Sequence, residues 1–461
     1  MTEPRVLIVG AGYCGLAAAM ELERSNTPYM LVEQASAVGG LSTTLDSGSV
    51  SFELGPHIYF NKDEEVTAFW RSLIGADLRR HERHTRIFYQ GRYISSPLRV
   101  IDTLLKLGPW TVALILASFA RAKLSRGPVL NAEDWVIANF GRQLYERFFK
   151  VYNEKIWGIA SSAIAPNWAG QRIKSSLLSM VVRSVLRDPA FIVKTFDFPA
   201  GGSRQLAAAQ EAIIRRSASG TLRLGCRPER IVRDATGFAV TFDGQDDIER
   251  FSHVISTTHL SDLSAVLDYQ GKDEVALRQA IGSLVYRNLV LVNLVLPAAQ
   301  VRSMQEHWID IHDPTVRALR VTNFSNYLVG DKPDKIALGV EYNCFDGDAV
   351  WTATDAQIGA MALADLRTMQ LFDAAPESVQ VVRLAKAYPV YALGYQQHTT
   401  AIFAELGKVE GLILAGRNAM FKWNNMHHSV KTGLMAARNV LGAGLDLGAV
   451  RGNVTIGKDS D

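Results

Sequence analysis

The chain begins with an apolar run that leads directly into a glycine-rich turn and then into a helical stretch. Residues 5–9 (RVLIV) predict a short buried strand. Glycines follow at Gly10, Gly12 and Gly15, and the run LAAAMELERS after them predicts a helix. The first 25 residues therefore predict a strand, a tight turn and a helix in direct succession.

A second predicted strand extends this unit toward a nucleotide site. Residues 29–32 are apolar and end at Glu33, 23 positions beyond Gly10. Glycines at these spacings suit a tight turn, close approach of backbone to a pyrophosphate, and close packing of helix on strand. The helix N-terminus supplies N–H groups and a positive dipole, and a carboxylate after the second strand can accept hydrogen bonds from a ribose. These features predict a dinucleotide site and leave the identity of the dinucleotide open.

Later apolar runs predict the rest of the nucleotide-binding sheet. Residues 231–242 and 253–258 predict strands that lead to a Ser/Thr turn containing Thr257, and residues 411–416 predict a buried strand that opens onto a helix. Strands and helices stop alternating after the first unit, so the remaining strands must come from distant parts of the chain.

This pattern predicts two interleaved domains. The helix-rich block 76–194 and the block 266–385, with its strand-like runs RNLVLVNLVL and KIALGVEYN, are the candidate substrate domain. The predicted boundaries are 1–75, 195–265 and 386–445 for the nucleotide domain, 76–194 and 266–385 for the substrate domain, and 446–461 for a flexible tail.

The composition of the chain indicates which kinds of partner and compartment to expect. The 461 residues include 49 Lys and Arg against 46 Asp and Glu, and a net charge of +3 gives no reason to expect a nucleic acid partner. Three scattered cysteines favour a reducing cytoplasm. The apolar stretch 110–120 is shorter than the ~20 residues of a spanning helix. It predicts a packed helix, with peripheral membrane contact as the alternative.

The segment after Glu33 points to a known superfamily. An acidic residue followed six positions later by Gly39 and Gly40 resembles the FAD-binding start of the amine oxidase, protoporphyrinogen oxidase and UDP-galactopyranose mutase superfamily. Leu41 stands where many amine oxidases carry Arg. The resemblance implies FAD as cofactor and an α/β fold. In that fold a Rossmann-like domain of the glutathione reductase type is interleaved with a helical and mixed α+β substrate domain.

Further segments are similar to UDP-galactopyranose mutase and related protoporphyrinogen oxidases. They occur in the same order and cover most of the chain, at residues 54–60, 88–98, 144–158, 197–202 and 416–428. Arg417 has planar donors for a phosphate or a flavin carbonyl, and the helix after Asn425 would direct its dipole at the pyrimidine end of the flavin. Stabilisation of reduced, anionic flavin is the expected effect.

The resemblance implies three sets of site residues. The cofactor-binding set comprises Gly10, Gly12, Tyr13, Cys14, Gly15, Glu33, Gln34, Gly39, Gly40, Leu41, Gly55, Pro56, His57, Ile58, Thr257, Gly416, Arg417, Asn424, Asn425 and Met426. The catalytic candidates are His57, Arg320, Lys422 and Asn424. The substrate-binding candidates are Arg92, Tyr152, Trp157, Arg172, Arg320, Tyr391 and Trp423, and no metal site is expected.

Several of these residues have a structural alternative. His57 is equally consistent with a core histidine satisfied by backbone, and Arg320 with an exposed arginine without a role. Trp157 and Lys155 are also consistent with a packing pair in which the Lys stem lies over the indole. For His428 the preferred interpretation is a helix cap followed by a surface histidine pair.

Two departures from the mutase pattern leave the reaction open. Ser176 and Asn424 stand where the mutase has an arginine and a tyrosine that contact the sugar diphosphate. The chain lacks HExxH, CxxC, GxSxG and GxxxxGK motifs, so the flavin must carry the chemistry on a small-molecule substrate. One reaction is redox-neutral attack of flavin N5 on a nucleotide sugar, with ring opening and reclosure. The other is hydride removal from an amine, alcohol or ring system.

Overall fold

The computed structural model describes residues 5–60, 63–96, 108–125, 127–168, 195–269, 271, 273–302, 304–326, 328 and 334–450. Twenty strands and fourteen α-helices lie within these residues. The strands are β1 (Val6–Val9), β2 (Tyr29–Glu33), β3 (Thr44–Ser47), β4 (Val50–Glu53), β5 (Leu78–Glu82), β6 (Thr85–Tyr89), β7 (Arg92–Ser96), β8 (Thr195–Pro199), β9 (Gly220–Leu224), β10 (Pro228–Asp234), β11 (Gly237–Phe242), β12 (Glu249–Phe251), β13 (His253–Ser256), β14 (Leu267–Asp268), β15 (Tyr286–Pro297), β16 (Trp308–Ile311), β17 (Arg320–Asn323), β18 (Lys335–Cys344), β19 (Ser378–Pro389) and β20 (Leu412–Leu414).

The helices follow the same order. They are α1 (Tyr13–Arg24), α2 (Glu64–Ile74), α3 (Pro109–Leu124), α4 (Ala132–Phe140), α5 (Arg142–Leu144), α6 (Lys150–Trp157), α7 (Ser203–Ile214), α8 (Leu260–Val266), α9 (Glu274–Gly282), α10 (Ala349–Thr352), α11 (Asp355–Thr368), α12 (Tyr395–Leu406), α13 (Gly416–Ala419) and α14 (Met426–Val440). A π-helical turn, Tyr145–Phe149, joins α5 to α6.

A five-stranded parallel sheet assembles the predicted nucleotide-binding strands from distant parts of the chain. Its order is β20-β13-β1-β2-β9, and every neighbouring pair is parallel. All four residues of β1 are buried, as expected for a central strand of an α/β sheet. The α/β fold is confirmed. Strand β9 was not predicted, because its short alternating pattern is a weak signal.

The predicted strands between residues 231 and 242 form a separate sheet. Strands β10 and β11 pair antiparallel in a four-stranded sheet of order β12-β11-β10-β14. The start of β10 nevertheless lies close to the nucleotide-binding site. Pro228, its first residue, lines the cleft that is described in the next section.

A seven-stranded sheet joins the two blocks of the predicted substrate domain. Its order is β19-β15-β18-β17-β16-β6-β7, so β6 from the first block pairs with β16 of the second, and β7 pairs with β6 at the edge of the sheet. Ten of the twelve residues of β15 are buried, which places this strand in the core of the sheet. The exact domain boundaries stay a prediction.

The apolar stretch after residue 109 forms a surface helix. In α3 Ile115 is the one fully buried residue, so most of the helix is less enclosed than a packed core helix. Across the described part of the chain, no helix combines the length and apolarity needed to cross a bilayer. Only the start of the predicted tail is described. It includes a 3-10 turn at Leu447–Ala449, while residues 451–461 lie outside the described residues.

Glycines allow α1 to pack closely on both of its neighbours. A Cβ on Gly15 would lie 1.9 Å from the carbonyl oxygen of Gly10 in the turn after β1. A Cβ on Gly433 of α14 would lie 2.1 Å from the carbonyl oxygen of Cys14 in α1. Both glycines thus permit backbone contacts that no other residue would allow, and these contacts set the positions of the helix N-termini.

Replacing Gly433 with alanine should force α1 and α14 apart. The added methyl collides with backbone, so we expect Gly433→Ala to lower the free energy of unfolding by about 1–3 kcal/mol. Urea denaturation of the purified holoprotein measures this change. The control is Gly282→Ala in α9, where a Cβ meets nothing within 4 Å. That variant should be unchanged or more stable by up to about 1 kcal/mol. Equal stability of the two variants would contradict the packing argument.

Candidate functional site

A long cleft of about 850 Å³ runs across the carboxyl ends of the parallel strands. This volume lies within the range of cofactor sites, roughly 300–1,000 Å³. The N-termini of α1 and α14 both border the cleft, at Tyr13 and Met426. A cleft at this edge of a parallel sheet is the usual place for a dinucleotide.

Close backbone contacts fix the conformation of the glycine turn at the edge of the cleft. Gly10 has a φ of +100°, and a Cβ there would lie 2.4 Å from Oγ1 of Thr257. This hydroxyl donates to the carbonyl of Val9 (2.9 Å) and so links the turn to the end of β13. On the other side, Gly40 has a φ of +59°, and its Cβ would lie 3.1 Å from Cα of Gly12. Close backbone approach on both sides leaves the N–H groups at the start of α1 beside the cleft.

Glu33 stands at the position predicted for the ribose. Its carboxylate accepts hydrogen bonds from the backbone N–H of Ala11 (2.8 Å) and of Ala35 (2.9 Å). These bonds fix the carboxylate at the end of β2, where it lines the cleft. Each carboxylate oxygen has a further lone pair, so Glu33 can also accept from hydroxyl groups of a ligand.

The opposite end of the cleft contains a fixed positive charge. The Arg417 guanidinium donates to the carbonyl of Asn424 (2.9 Å from Nε) and to that of Ala387 (3.2 Å). At the N-terminus of α14, the N–H of Asn425 donates to Nδ1 of His428 (3.1 Å), which agrees with the predicted capping role of His428. A guanidinium and a helix N-terminus therefore face the same end of the cleft, and both favour negative charge there.

Two buried polar side chains at this end fit a cofactor. Asn424 is 1% exposed, and neither its amide oxygen nor its amide nitrogen has a partner among the described residues. The buried Nδ1 of His57 likewise has none. Burial, and secondarily the charge of Arg417, lowers the pKa of His57 to about 3, so the imidazole is neutral at neutral pH. Unsatisfied buried polar atoms that border a cleft indicate a bound group, and the donors and acceptors present suit the ring end of FAD.

Most of the predicted cofactor residues meet in this cleft. Those that line it are Gly10, Gly12, Tyr13, Cys14, Glu33, Gln34, Gly39, Gly40, Leu41, His57, Thr257, Gly416, Arg417, Asn424, Asn425 and Met426. Gly15, Gly55, Pro56 and Ile58 are not among the lining residues. Gly15 instead serves the packing of α1 on the turn, and of residues 55–58 only His57 borders the cleft.

Arg320 lies between two carboxylates in the seven-stranded sheet. Strand β17 pairs with β16 and β18, and Arg320 stands directly opposite Asp310 on one side and Glu341 on the other. Its Nε lies 2.8 Å from Oδ1 of Asp310, and its Nη1 lies 3.5 Å from Oε2 of Glu341. The Tyr152 hydroxyl donates to the same Oδ1 of Asp310 (2.9 Å) and lies 3.4 Å from Nη2 of Arg320. Two predicted site residues, separated by 168 positions, are thereby brought together.

Burial and the ion pairs with Arg320 shift the pKa values of Asp310 and Glu341 in opposite directions. Burial alone would raise the pKa of Asp310, but the charge and hydrogen bond of Arg320 outweigh it and lower that pKa. Burial dominates at Glu341 and raises its pKa despite Arg320. The two carboxylates in turn hold the pKa of Arg320 well above its usual value, against the effect of burial. Arg320 is therefore a permanently charged, anchored group and not an exposed arginine, while its role in substrate binding stays a prediction.

An aromatic cluster lies beside Asn424 of the cleft. Trp157, at the end of the helix that carries Tyr152, has no exposed surface and packs edge-on against Trp423 (ring centroids 4.9 Å apart). The Tyr391 hydroxyl accepts from the backbone N–H of Trp423 (2.7 Å). Trp423 precedes Asn424, which lines the cleft, whereas the predicted substrate residues Tyr152, Trp157, Arg320, Tyr391 and Trp423 are not among the lining residues.

Other predicted site residues lie elsewhere. Arg92 is exposed at the start of β7 and does not line the cleft, and Arg172 and Ser176 lie outside the described residues. Lys422 is also absent from the cleft lining. Its Nζ donates to the carbonyls of Gly448 (2.6 Å) and Val450 (3.1 Å), so it holds the C-terminal segment and does not border the cleft as a catalytic residue would.

Lys155, for which packing on Trp157 was the structural alternative, instead forms a set of hydrogen bonds. The Lys155 Nζ donates to the carbonyls of Asp313 (2.8 Å) and Val316 (2.7 Å), and also to those of Ile311 and Ala318. Burial is the main cause that lowers its pKa to about 8. Lys155 thus organises the loop between β16 and β17, next to Asp310 and Arg320.

Sequence reasoning missed Glu53, which supports the His57 segment. Glu53 is fully buried and accepts from the Thr44 hydroxyl (2.5 Å), from the N–H of Ser203 (3.0 Å) and from the Ser203 hydroxyl. It thereby ties the end of β4 to the N-terminus of α7. The sequence did contain a sign of this role, because Glu53 is an acidic residue within an apolar strand (VSFELG). A carboxylate that is buried in such a strand needs polar partners.

Comparison with known proteins agrees with this arrangement. Residues 13–441 match the model of a protein family described as flavin containing amine oxidoreductase. A Klebsiella pneumoniae protein named "Probable UDP-galactopyranose mutase" is 23% identical over 173 residues, which cover 36% of this chain and 44% of that protein. The chain thus matches less than half the length of this curated relative.

Solved structures match over nearly the whole chain. Reduced UDP-galactopyranose mutase superposes with a TM-score of 0.85 at 20% identity, covering 98% of this chain and 96% of the mutase. Cyclohexylamine oxidase from Brevibacterium oxydans superposes with a TM-score of 0.67 at 16% identity, covering 95% of this chain and 99% of the oxidase. Putrescine oxidase bound to putrescine gives a TM-score of 0.63 at 16% identity, with coverage of 95% and 99%. At these identities the likeness shows a shared fold.

Removing the Glu33 carboxylate should weaken FAD binding. Glu33→Ala deletes a charged acceptor at the ribose position, and the loss of hydrogen bonds to a charged group costs about 1.5–3 kcal/mol, or roughly a 10- to 150-fold rise in Kd. Equilibrium dialysis of FAD against apoprotein measures this change. Glu410→Ala, at a carboxylate with 90% exposure, is the control and should leave Kd unchanged. An unaltered Kd in Glu33→Ala would exclude the assigned role.

The neutral state of His57 should make stability depend on pH. Its pKa in the unfolded chain is near 6.5, against about 3 in the folded chain. Between these values only the unfolded chain binds the proton, so stability falls as pH decreases from 6.5. His57→Gln should flatten this slope by up to about 1.4 kcal/mol per pH unit. Urea titrations of the apoprotein from pH 7 to 4.5, in which no flavin contacts the imidazole, compare the slopes, and parallel slopes would contradict the prediction.

Proposed function

Because the chain belongs to the flavin-containing amine oxidoreductase family, we propose that this FAD-dependent enzyme acts on a nucleotide sugar or related glycan precursor without net oxidation. The observation that carries the proposal is the meeting of Tyr152 and Arg320 on the carboxylate of Asp310. These two residues were assigned to substrate through the mutase resemblance. The whole-chain likeness to reduced UDP-galactopyranose mutase supports the same function.

In this proposal, different residues act on the cofactor and on the substrate. When bound, FAD supplies N5, which can act as a nucleophile or accept hydride according to its redox state. Arg417 and the N-terminus of α14 hold positive potential at the ring end and favour the electron-rich form of the cofactor. His57 remains neutral there and offers a hydrogen-bonding nitrogen without adding charge. Arg320 and Tyr152, fixed by Asp310, would orient polar groups of the substrate.

A second candidate is removal of hydride from an amine, alcohol or ring substrate. The observation that favours it is the charge of the Arg320 centre, where Asp310 and Glu341 both lie within ion-pair distance of one guanidinium. Such a compensated centre has little surplus positive charge with which to bind a diphosphate. Putrescine oxidase and cyclohexylamine oxidase, which share the fold, catalyse oxidations by their names.

Anaerobic turnover separates the two functions. Chemically reduced holoprotein is incubated with a panel of nucleotide sugars, and product is followed by chromatography while the flavin spectrum is recorded. We expect isomerised sugar over many turnovers with an unchanged spectrum. In a parallel incubation, oxidised holoprotein is given a sugar, amine or alcohol substrate together with oxygen or a dye acceptor. Oxidised product that matches the peroxide formed or the acceptor consumed mole for mole would overturn the redox-neutral proposal in favour of the second candidate.

Matched tyrosine variants test the Tyr152–Arg320 centre in the same assay. Tyr152→Phe removes the hydroxyl bond to Asp310, and we expect kcat/KM to fall about tenfold, the effect of one lost hydrogen bond. Tyr93→Phe is the control, because its hydroxyl donates to the carbonyl of Met369 (2.5 Å), which is not a site residue. Equal activity of both variants would remove this centre from the substrate site.

A further inference from the structure

Helix α3 has one face packed on the protein and one face free. Its buried and half-buried residues recur at helical spacing, at positions 111, 112, 115, 118, 119 and 122. This face contacts the segment around α5, where the N–H of Gln143 donates to the Ser118 hydroxyl (3.1 Å) and Gly141 lies against the backbone of Phe119. The opposite face is exposed at positions 110, 113, 114, 116, 117, 120, 121, 123 and 124.

The free face is apolar to a degree unusual for a protein surface. Trp110 is 76% exposed, Leu116 51% and Leu124 87%, and Leu130 in the loop that follows is 66% exposed. Of 13 large hydrophobic side chains exposed in the described residues, six lie between positions 110 and 130. Isolated exposed leucines need no explanation, but a contiguous patch indicates an interaction surface. We call residues 110–125 and 127–130 the α3 surface.

The charged side chains that α3 exposes are all positive. Arg121 and Lys123 are exposed at the C-terminal end of the helix, and neither forms an ion pair with any residue that the structure describes. No Asp or Glu occurs between positions 109 and 130. One carboxylate touches the far end of the surface, where Asp134 accepts from the N–H of Leu130 (3.1 Å). The helix itself combines exposed apolar side chains with two cations that form no ion pair within the described residues.

We propose that the α3 surface docks this protein on a bilayer containing anionic phospholipid. A helix that lies in the plane of the interface inserts apolar side chains and keeps basic residues at the headgroups. Tryptophan is favoured at the level of the lipid headgroups, where Trp110 would lie. The long side chains of Arg121 and Lys123 would extend from the same surface and place their charges at anionic headgroups. The helix has 16 residues, too few to span the bilayer, so it lies on the membrane.

A second copy of the chain fits this surface less well. In a twofold dimer the same patch contacts itself. The α3 surface contains no acidic residue to pair with Arg121 and Lys123, so a dimer would bring four cations to one apolar interface without a counter-charge. Anionic headgroups supply that counter-charge.

Vesicle binding tests the proposal with the intact holoprotein. Co-sedimentation is measured with vesicles of phosphatidylglycerol and phosphatidylcholine and with vesicles of phosphatidylcholine alone. We expect binding to the mixed vesicles that weakens with salt. Arg121→Ala with Lys123→Ala should reduce that affinity by roughly tenfold to thirtyfold. Trp110→Ser, Leu116→Ser and Leu124→Ser together should reduce it by at least about tenfold.

Matched controls separate surface-specific binding from general effects. Arg79→Ala with Arg216→Ala removes the same charge from exposed arginines elsewhere, and Ile248→Ser with Val275→Ser removes apolar side chains that are 62% and 71% exposed. Both controls should bind as the parent protein does, and all variants should retain flavin absorbance and melting temperature. Absent binding, or binding that the controls weaken equally, would overturn the proposal. So would a lipid-free dimer in sedimentation velocity that only the α3 variants dissociate.

Discussion

The close approach of α1 to β1 and to α14 is the constraint on which the site depends. Two helices from opposite ends of the chain must bring their N-termini to one cleft, and they do so through backbone contacts at Gly15 and Gly433. A side chain at either position would occupy the space of a carbonyl group on its neighbour. Because both helix dipoles end at the cleft, small changes in this packing change the field that the cofactor experiences.

The cleft is polarised along its length. Glu33, fixed by two backbone N–H groups, lies at one end, which we assign to the ribose, whereas Arg417, fixed by two backbone carbonyls, lies at the other, which we assign to the flavin ring. Each charged group is held by the backbone, so neither depends on the mobility of a partner side chain. Asn424 and His57 lie beside Arg417 with polar atoms unsatisfied by described residues, and a bound ring system would provide their partners.

The group of charged residues around Arg320 is organised by strand register. Arg320 faces Asp310 and Glu341 because β17 lies between β16 and β18, and Tyr152 joins the group from α6. The same compensation that anchors Arg320 reduces its capacity to bind a phosphate. Affinity for an anionic substrate would then depend on other groups, and this is the physical reason that two reaction types remain compatible with one architecture.

The sequence by itself determined the nucleotide-binding unit. Its strand, glycine turn, helix and Glu33 lie within 33 consecutive residues, so spacing alone sets their geometry. Only the tertiary structure decided which carboxylates flank Arg320, that Glu53 binds Ser203 across 150 positions, and that Lys422 holds Gly448 and not the cleft. Such partners depend on the register and packing of elements far apart in the chain, and hydrophobic periodicity specifies which face is buried without specifying which residue lies opposite.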